Sequence, residues 1–156
     1  MVNCIFSYGT LRMDSTKTGD DWGVFNNSNY KYKYGKLYGY KLYQHKCTPY
    51  PFITPTYNNN DFVIGTYIYG LNDIDFDMKL IECDLIEGYN KDNLEESLYK
   101  RAVGKIELLD ETNNKYYESA YFYYQDYSKQ NIEDYKLYKK GDWFINREEY
   151  KPKPKY

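Results

Sequence analysis

The chain has 156 residues, enough for one domain with a buried core. With 21 basic and 23 acidic side chains its net charge is −2, which excludes a general electrostatic attraction to nucleic acid or anionic membranes. Mean hydropathy is −0.90, and no apolar run approaches the ~20 residues of a membrane-spanning helix. The first residues lack the basic region and apolar core of a signal peptide, so we expect a cytoplasmic protein.

A short strand-forming run opens the chain and stops at a glycine. The stretch Cys4–Arg12 reads Cys-Ile-Phe-Ser-Tyr-Gly-Thr-Leu-Arg. Residues that favour strands lead to Gly9, where the chain leaves the strand with backbone N–H groups free. Such a turn can hold a carboxylate or an oxyanion. An ordinary glycine turn after a core strand is the alternative, because short glycine motifs recur by accident.

The region from 13 to 55 is expected to contain a loop, strands and a rigid segment. Residues 13–29 are polar and predict a loop over the first turn. Tyr30–Tyr34 alternates tyrosine with lysine, typical of a strand. This pattern also suits stacking on single-stranded nucleic acid, but a sheet edge protected by lysine fits the net charge better. The glycines of 35–43 indicate a bulge or barrel corner, and three prolines make 48–55 rigid and extended.

The cysteines and the histidine support no metal site. We expect Cys4, Cys47 and Cys83 to be free thiols, since they form no Cys-x-x-Cys pair and no secretory signal is present. His45 is the single histidine, which excludes a multi-histidine site. Its spacing from Cys47 permits a Cys–His nucleophile, but nothing in the sequence supplies the electropositive pocket that a thiolate needs. A loop histidine beside a free thiol is the simpler interpretation, and we expect no cofactor.

The clearest strand, 62–69, precedes the clearest helix. Asn72 or Asp73 can cap this helix, and Gly88 can end it. Apolar residues recur at steps of four, three and four, which predicts the face that packs on the core. These residues are Ile74, Met78, Ile81 and Leu85.

Glu87 occupies the last turn of the predicted helix. The helix dipole disfavours a carboxylate there, so the residue is either tolerated in water or held for a purpose. If the side chain is buried, its pKa rises, which suits a general base working near neutral pH.

The second half of the chain completes the predicted fold. After a charged insert at 90–97, the stretches 98–109 and 117–124 predict an antiparallel pair of strands. Several strands and one good helix indicate a closed or nearly closed barrel flanked by helices. We predict a single domain over 1–150 and a disordered tail at 151–156.

Two motifs together resemble the gamma-glutamylcyclotransferase family. Tyr8–Arg12 reads Tyr-Gly-Thr-Leu-Arg, and Asp84–Tyr89 reads Asp-Leu-Ile-Glu-Gly-Tyr, with Tyr-Lys-Arg following at 99–101. Further segments are similar to the family's strands and loops in the same order: 39–43, 50–53, 65–69 and 141–143. Cys83 departs from the family, which often has leucine there, and the insert at 90–97 puts the substrate's identity in doubt.

The resemblance implies a small mixed α/β (α+β) fold, a bent β-barrel flanked by a few helices. It also implies an enzyme in which the α-amine of a γ-glutamyl group attacks its own γ-carbonyl, releasing 5-oxoproline and a free amine. The implied site residues are catalytic Glu87 and substrate-binding Tyr8, Gly9, Thr10, Leu11 and Tyr99. The motif at 98–101 and the short length favour the branch acting on γ-glutamylamines and isopeptides.

Other functions stay open at this point. A non-catalytic binding module of the same fold would keep the pocket for a small ligand that bears a carboxylate. A barrel rich in tyrosine and lysine could instead bind single-stranded nucleic acid, with strongly salt-dependent affinity. We expect a small γ-glutamyl substrate as partner, and neither nucleic acid nor a membrane. The oligomeric state does not follow from the sequence.

Overall fold

The computed structural model describes residues 2–9, 11–13, 30–45, 50–70, 72–126 and 135–143. The elements in these ranges are β1 (Ile5–Ser7), β2 (Lys31–Tyr38), β3 (Tyr40–His45), β4 (Pro51–Pro55), β5 (Phe62–Tyr69), α1 (Asp73–Glu87), β6 (Lys100–Leu109), β7 (Lys115–Tyr124) and β8 (Tyr135–Leu137). Four of the expectations concern parts of the chain that lie outside the described residues. They are nearly all of the loop at 13–29, Thr10, the pair of side chains His45 and Cys47, and the tail at 151–156.

Five strands form a closed barrel in the order β1-β5-β2-β6-β7. Neighbouring strands are antiparallel, except that β1 and β7 meet in parallel where Ile5 lies opposite Tyr121. The predicted barrel and its antiparallel β6–β7 pair are confirmed. The tyrosine–lysine repeat pairs with β5 along its length, whereas β2 meets β6 only at Lys36, opposite Glu107, so within the described strands the repeat has a paired strand on one side, as expected of a sheet edge. In the described ranges one helix, α1, flanks the barrel, whereas a few were expected.

A three-stranded sheet in the order β4-β3-β8 lies beside the barrel. The chain leaves the barrel at Gly39, whose φ of 88° falls in the left-handed region that glycine adopts without strain. This is the corner that the glycines predicted. The proline-rich segment forms edge strand β4, where its missing N–H groups cost little.

Helix α1 packs on the barrel through the face opposite to the predicted one. Phe76 and Cys83 are its buried residues, and the ring of Phe76 lies 5.8 Å from that of Tyr121. The four residues of the predicted core face are instead exposed: Ile74, Met78, Ile81 and Leu85. The prediction was wrong because the barrel surface under α1 consists of tyrosine rings and a cation. Such a surface packs against a helix face that is partly apolar and partly acidic.

The helix begins and ends as the sequence predicts. The Asn72 side chain accepts a hydrogen bond from the Asp75 N–H, which satisfies one donor of the first turn. Gly88 ends the helix with φ 63°, and its N–H reaches carbonyls of the last turn. In the described ranges no helix has the length and apolar character needed to cross a membrane.

A buried ion pair connects the first turn to the end of the described chain. Arg12 Nη1 lies 2.7 Å from Asp142 Oδ1, and the Arg12 side chain is only 2% exposed. Next to it Trp143 is fully buried, so the two ends of the domain share one anchor. Breaking such a pair leaves an uncompensated buried charge.

We expect Asp142→Asn to lower the free energy of unfolding by about 3 kcal/mol, because Arg12 would keep its buried charge but lose its ion pair with Asp142. Chemical denaturation measures this loss. Glu111→Gln, in the exposed β6–β7 turn, is the control and should change stability by less than about 0.5 kcal/mol. Equal stability of both variants would contradict the role of the pair.

Candidate active site

A cavity of about 210 Å³ lies where β1 ends, β4 begins and α1 ends. Five of the six site residues expected from the sequence line it, namely Tyr8, Gly9, Leu11, Glu87 and Tyr99. Thr10, the sixth, lies outside the described residues. The cavity therefore collects side chains from positions far apart in the chain.

The turn after β1 forms one wall of the cavity. The Arg12 N–H donates a hydrogen bond to the Gly9 carbonyl at 3.0 Å, which closes the turn. A Cβ at Gly9 would lie 2.7 Å from Cγ of Pro51, so only glycine allows the turn to approach β4. Among the described residues, the N–H groups of Gly9 and Leu11 have no acceptor. They are available to an anionic group in the cavity.

Glu87 is the last residue of α1 and lies half-buried in the cavity wall. Within the described ranges no hydrogen bond reaches its carboxylate. Burial raises the pKa of Glu87 to about 8, since the charged form loses its solvation. A carboxyl group with this pKa can both accept and return a proton near neutral pH.

Two buried tyrosines are held by backbone carbonyls. Tyr8 Oη donates a hydrogen bond to the Tyr123 carbonyl, and Tyr99 Oη donates one to the Pro51 carbonyl, both at 2.7 Å. Burial is the main reason that the pKa of Tyr8 lies well above its usual value, and the nearby charge of Glu87 raises this pKa further. Tyr8 therefore stays neutral and shapes the cavity.

Asp84, one turn before Glu87, binds the end of α1 to the barrel. Its two carboxylate oxygens each take a 2.6 Å contact, Oδ2 from Arg101 Nη1 and Oδ1 from Tyr123 Oη. The Arg101 guanidinium also lies 4.8 Å from the ring centre of Tyr89 and 5.2 Å from that of Tyr121. These contacts fix the helix turn that carries Glu87.

The contacts of Asp84 were not predicted from the sequence. The two arginines of the motifs, Arg12 and Arg101, pair with aspartates and do not line the cavity. The spacing of Asp84 and Glu87 could have indicated this arrangement, because residues three apart on a helix share a face. Asp84 and Glu87 must then face the barrel together. Among the described residues no group of potential metal ligands forms.

We expect Asp84→Asn to lower the free energy of unfolding by about 2 kcal/mol, since Arg101 loses a largely desolvated partner. The matched control is Glu82→Gln, which removes the exposed ion pair with Lys79 on the same helix. Its cost should be below about 1 kcal/mol. Chemical denaturation of both variants compares them, and an equal loss would rule out a special contribution of the Asp84 contacts.

The raised pKa of Glu87 predicts a pH-dependent effect on stability. Between its unfolded value near 4.5 and its folded value near 8, the folded protein binds one more proton, so stability falls as pH rises. We expect the stability of Glu87→Gln to lack this fall with pH. Its free energy of unfolding should therefore rise relative to that of the wild type by at most about 1.4 kcal/mol per pH unit. Urea denaturation from pH 5 to 8 measures the difference. A constant difference would mean that Glu87 titrates normally.

Comparisons with known proteins bear on the fold and the family. A search of curated protein sequences finds no match. The solution structure of an Arabidopsis thaliana protein matches with a TM-score of 0.59 at 18% identity, over 94% of this chain and 83% of that chain, which supports the fold. A structure described as gamma-glutamyl cyclotransferase and the crystal structure of an uncharacterized Homo sapiens protein match less well. Their TM-scores are 0.47 and 0.46, at 12% and 15% identity, each over 86% of this chain and 68% of theirs.

The family described as gamma-glutamyl cyclotransferase, AIG2-like, matches residues 5–144. This range contains every described strand, helix α1 and the whole cavity. The chain therefore belongs to the gamma-glutamyl cyclotransferase family, which supports a cyclotransferase activity in general.

Proposed function

We propose that this protein converts γ-glutamylamines to 5-oxoproline and a free amine, with Glu87 as the general acid/base. The observation that carries the proposal is the position of Glu87. Its carboxyl group shares one cavity with the turn at Gly9 and has a pKa of about 8. Family membership supports the reaction class.

The reaction needs one group that moves protons and one that holds charge. Ionised Glu87 takes a proton from the substrate's α-ammonium, and the resulting amine attacks the γ-carbonyl carbon. The new C–N bond closes the five-membered ring, and the oxyanion is stabilised by the N–H groups of the turn. When the old C–N bond breaks, Glu87 returns the proton to the leaving amine. Glu87 then takes the second proton from the ring nitrogen, which becomes the lactam N–H, and passes it to the released amine, which leaves as an ammonium ion. No covalent enzyme intermediate forms, because the nucleophile belongs to the substrate.

We expect substrate binding to lower the pKa of Glu87, which favours the basic form that the reaction needs. A bound α-ammonium is a positive charge next to the carboxylate, so it lowers the pKa from its value in the free protein. The ionised, basic form is then populated when the substrate is present. The acidic limb of kcat/KM should therefore lie near pH 8, and that of kcat at lower pH.

The described wall of the cavity favours an amine that bears no carboxylate. This wall contains neither lysine nor arginine, and apolar side chains such as Ile86 and Leu98 form part of it. The turn at Gly9 can hold the one α-carboxylate of the glutamyl group. Along the described wall, a second carboxylate, as in glutathione, would meet no cation and would lie near Glu87. An alkyl amine or the side chain of an isopeptide-linked lysine fits better.

The test measures 5-oxoproline and amine release from Nα-acetyl-ε-(γ-glutamyl)-lysine amide, whose lysine carboxyl group is capped as in a protein isopeptide, from γ-glutamyl-butylamine and from glutathione. We expect turnover of the first two with a preference of about tenfold or more over glutathione, since an unpaired carboxylate costs more than 1 kcal/mol to desolvate. Glu87→Gln should lose at least about a hundredfold in kcat while still binding substrate, because general acid/base catalysis contributes that much. Glu82→Gln, exposed on the same helix, is the control with normal turnover.

Two results would contradict the proposal. Unchanged turnover in Glu87→Gln would remove Glu87 as the base but leave the reaction class intact. Binding of these compounds without turnover by the wild type would favour the alternative, a non-catalytic module that holds a carboxylate-bearing ligand.

A further inference from the structure

The outer face of α1 carries an apolar surface with no partner among the described residues. We call it the α1 stripe and define it as Ile74, Met78, Ile81 and Leu85. Ile74 and Leu85, at its two ends, are 74% and 78% exposed. Single exposed apolar residues are ordinary, but a continuous apolar face of this kind marks an interaction site.

The spacing of the stripe suits another helix. Steps of four, three and four place one residue on each successive turn, which is the seam found between paired helices. The stripe lies directly opposite Phe76 and Cys83, so the barrel cannot cover it. A second helix laid along α1 would cover all four residues at once.

The borders of the stripe are acidic. Asp75 and Glu82 lie along one side of it and Asp77 along the other, as their positions on the helix require. The helix as a whole carries six acidic residues and one lysine, although the chain has a net charge of only −2. That lysine, Lys79, already pairs with Glu82 at 3.2 Å.

These charges discriminate between possible occupants. A second copy would bring its own acidic borders against these, and an anionic membrane would be repelled in the same way. A helix with lysine or arginine beside its apolar residues would be attracted on both sides. Opposite charges flanking an apolar seam are what select one helix partner over another.

We propose that the α1 stripe is a docking surface for a basic amphipathic helix of a partner protein. The partner's apolar residues fill the seam, and its cations meet Asp75, Asp77 and Glu82. This surface is separate from the cavity, and its occupation does not depend on the proposed reaction.

The experiment uses a synthetic peptide of leucine and lysine, of about 15 residues to match the length of α1, with leucines at alternating three- and four-residue steps. Fluorescence anisotropy at an ionic strength of about 0.15 M measures its binding to the full chain. The double variant Met78→Gln/Ile81→Gln should weaken binding by about tenfold or more, through the loss of two buried apolar contacts. The matched control is Leu109→Gln, which changes an exposed leucine on β6 and should change binding less than about twofold.

The charges are tested separately. A peptide of leucine and glutamate with the same leucine spacing should not bind, and Asp77→Asn should weaken binding of the leucine–lysine peptide. Glu111→Gln, an acidic residue far from α1 in the β6–β7 turn, should leave it unchanged. Equal binding of both peptides, no binding of either, or equal binding by the stripe variant would overturn the proposal.

Other occupants of the stripe give distinct results. A dimer in sedimentation that the stripe variant dissociates would show that a second copy covers it. A large fall in melting temperature of that variant, relative to Leu109→Gln, would show that the chain's own residues cover it. Binding of phosphatidylcholine vesicles through the stripe would indicate a membrane. Each of these outcomes overturns the proposal.

Discussion

The contact between Asp84 and Arg101 determines how the helix sits on the barrel, and much of the site depends on it. The Asp84 carboxylate leaves water to meet a guanidinium and a tyrosine hydroxyl, each at 2.6 Å. Such a contact has a fixed direction, whereas apolar packing tolerates rotation of a helix about its axis. Once Asp84 is bound, the position of Glu87 follows from helix geometry. An ion pair outside the cavity thus orients the group proposed to do the chemistry.

The same geometry explains the structural cost of Glu87 at the position of its proposed chemical role. A carboxylate in the last turn of a helix opposes the dipole, and burial adds a loss of solvation. The neighbouring hydroxyl groups do not relieve it, since Tyr8 and Tyr99 donate to backbone carbonyls. The carboxyl group therefore keeps a raised pKa of about 8 in a place that substrate can reach. Stability is thus lost at the position that the proposed reaction uses.

Features that depend on local sequence could be predicted, and those that depend on distant partners could not. The cap at Asn72, the stop at Gly88 and the corner at Gly39 follow from backbone preferences of single residues. The site residues came from a resemblance, and five of them do share a cavity. The orientation of α1 failed because periodicity finds an apolar face but does not show what covers it. Only Arg101 and the barrel tyrosines, distant in sequence, decide that the face with Phe76, Cys83 and Asp84 turns inward.

The closure of the barrel has a consequence for the order of folding. β1 has only three residues, yet Ile5 pairs with Ile68 on one side and meets Tyr121 on the other. Both neighbours are far along the chain, so their loops must close before β1 gains its contacts. The β6–β7 hairpin, by contrast, is local and can form early. During synthesis the turn at Gly9, although translated first, cannot reach its final position until β7 has left the ribosome. The cavity is thus among the last parts of the molecule to assemble, and a chain truncated before β7 has no site.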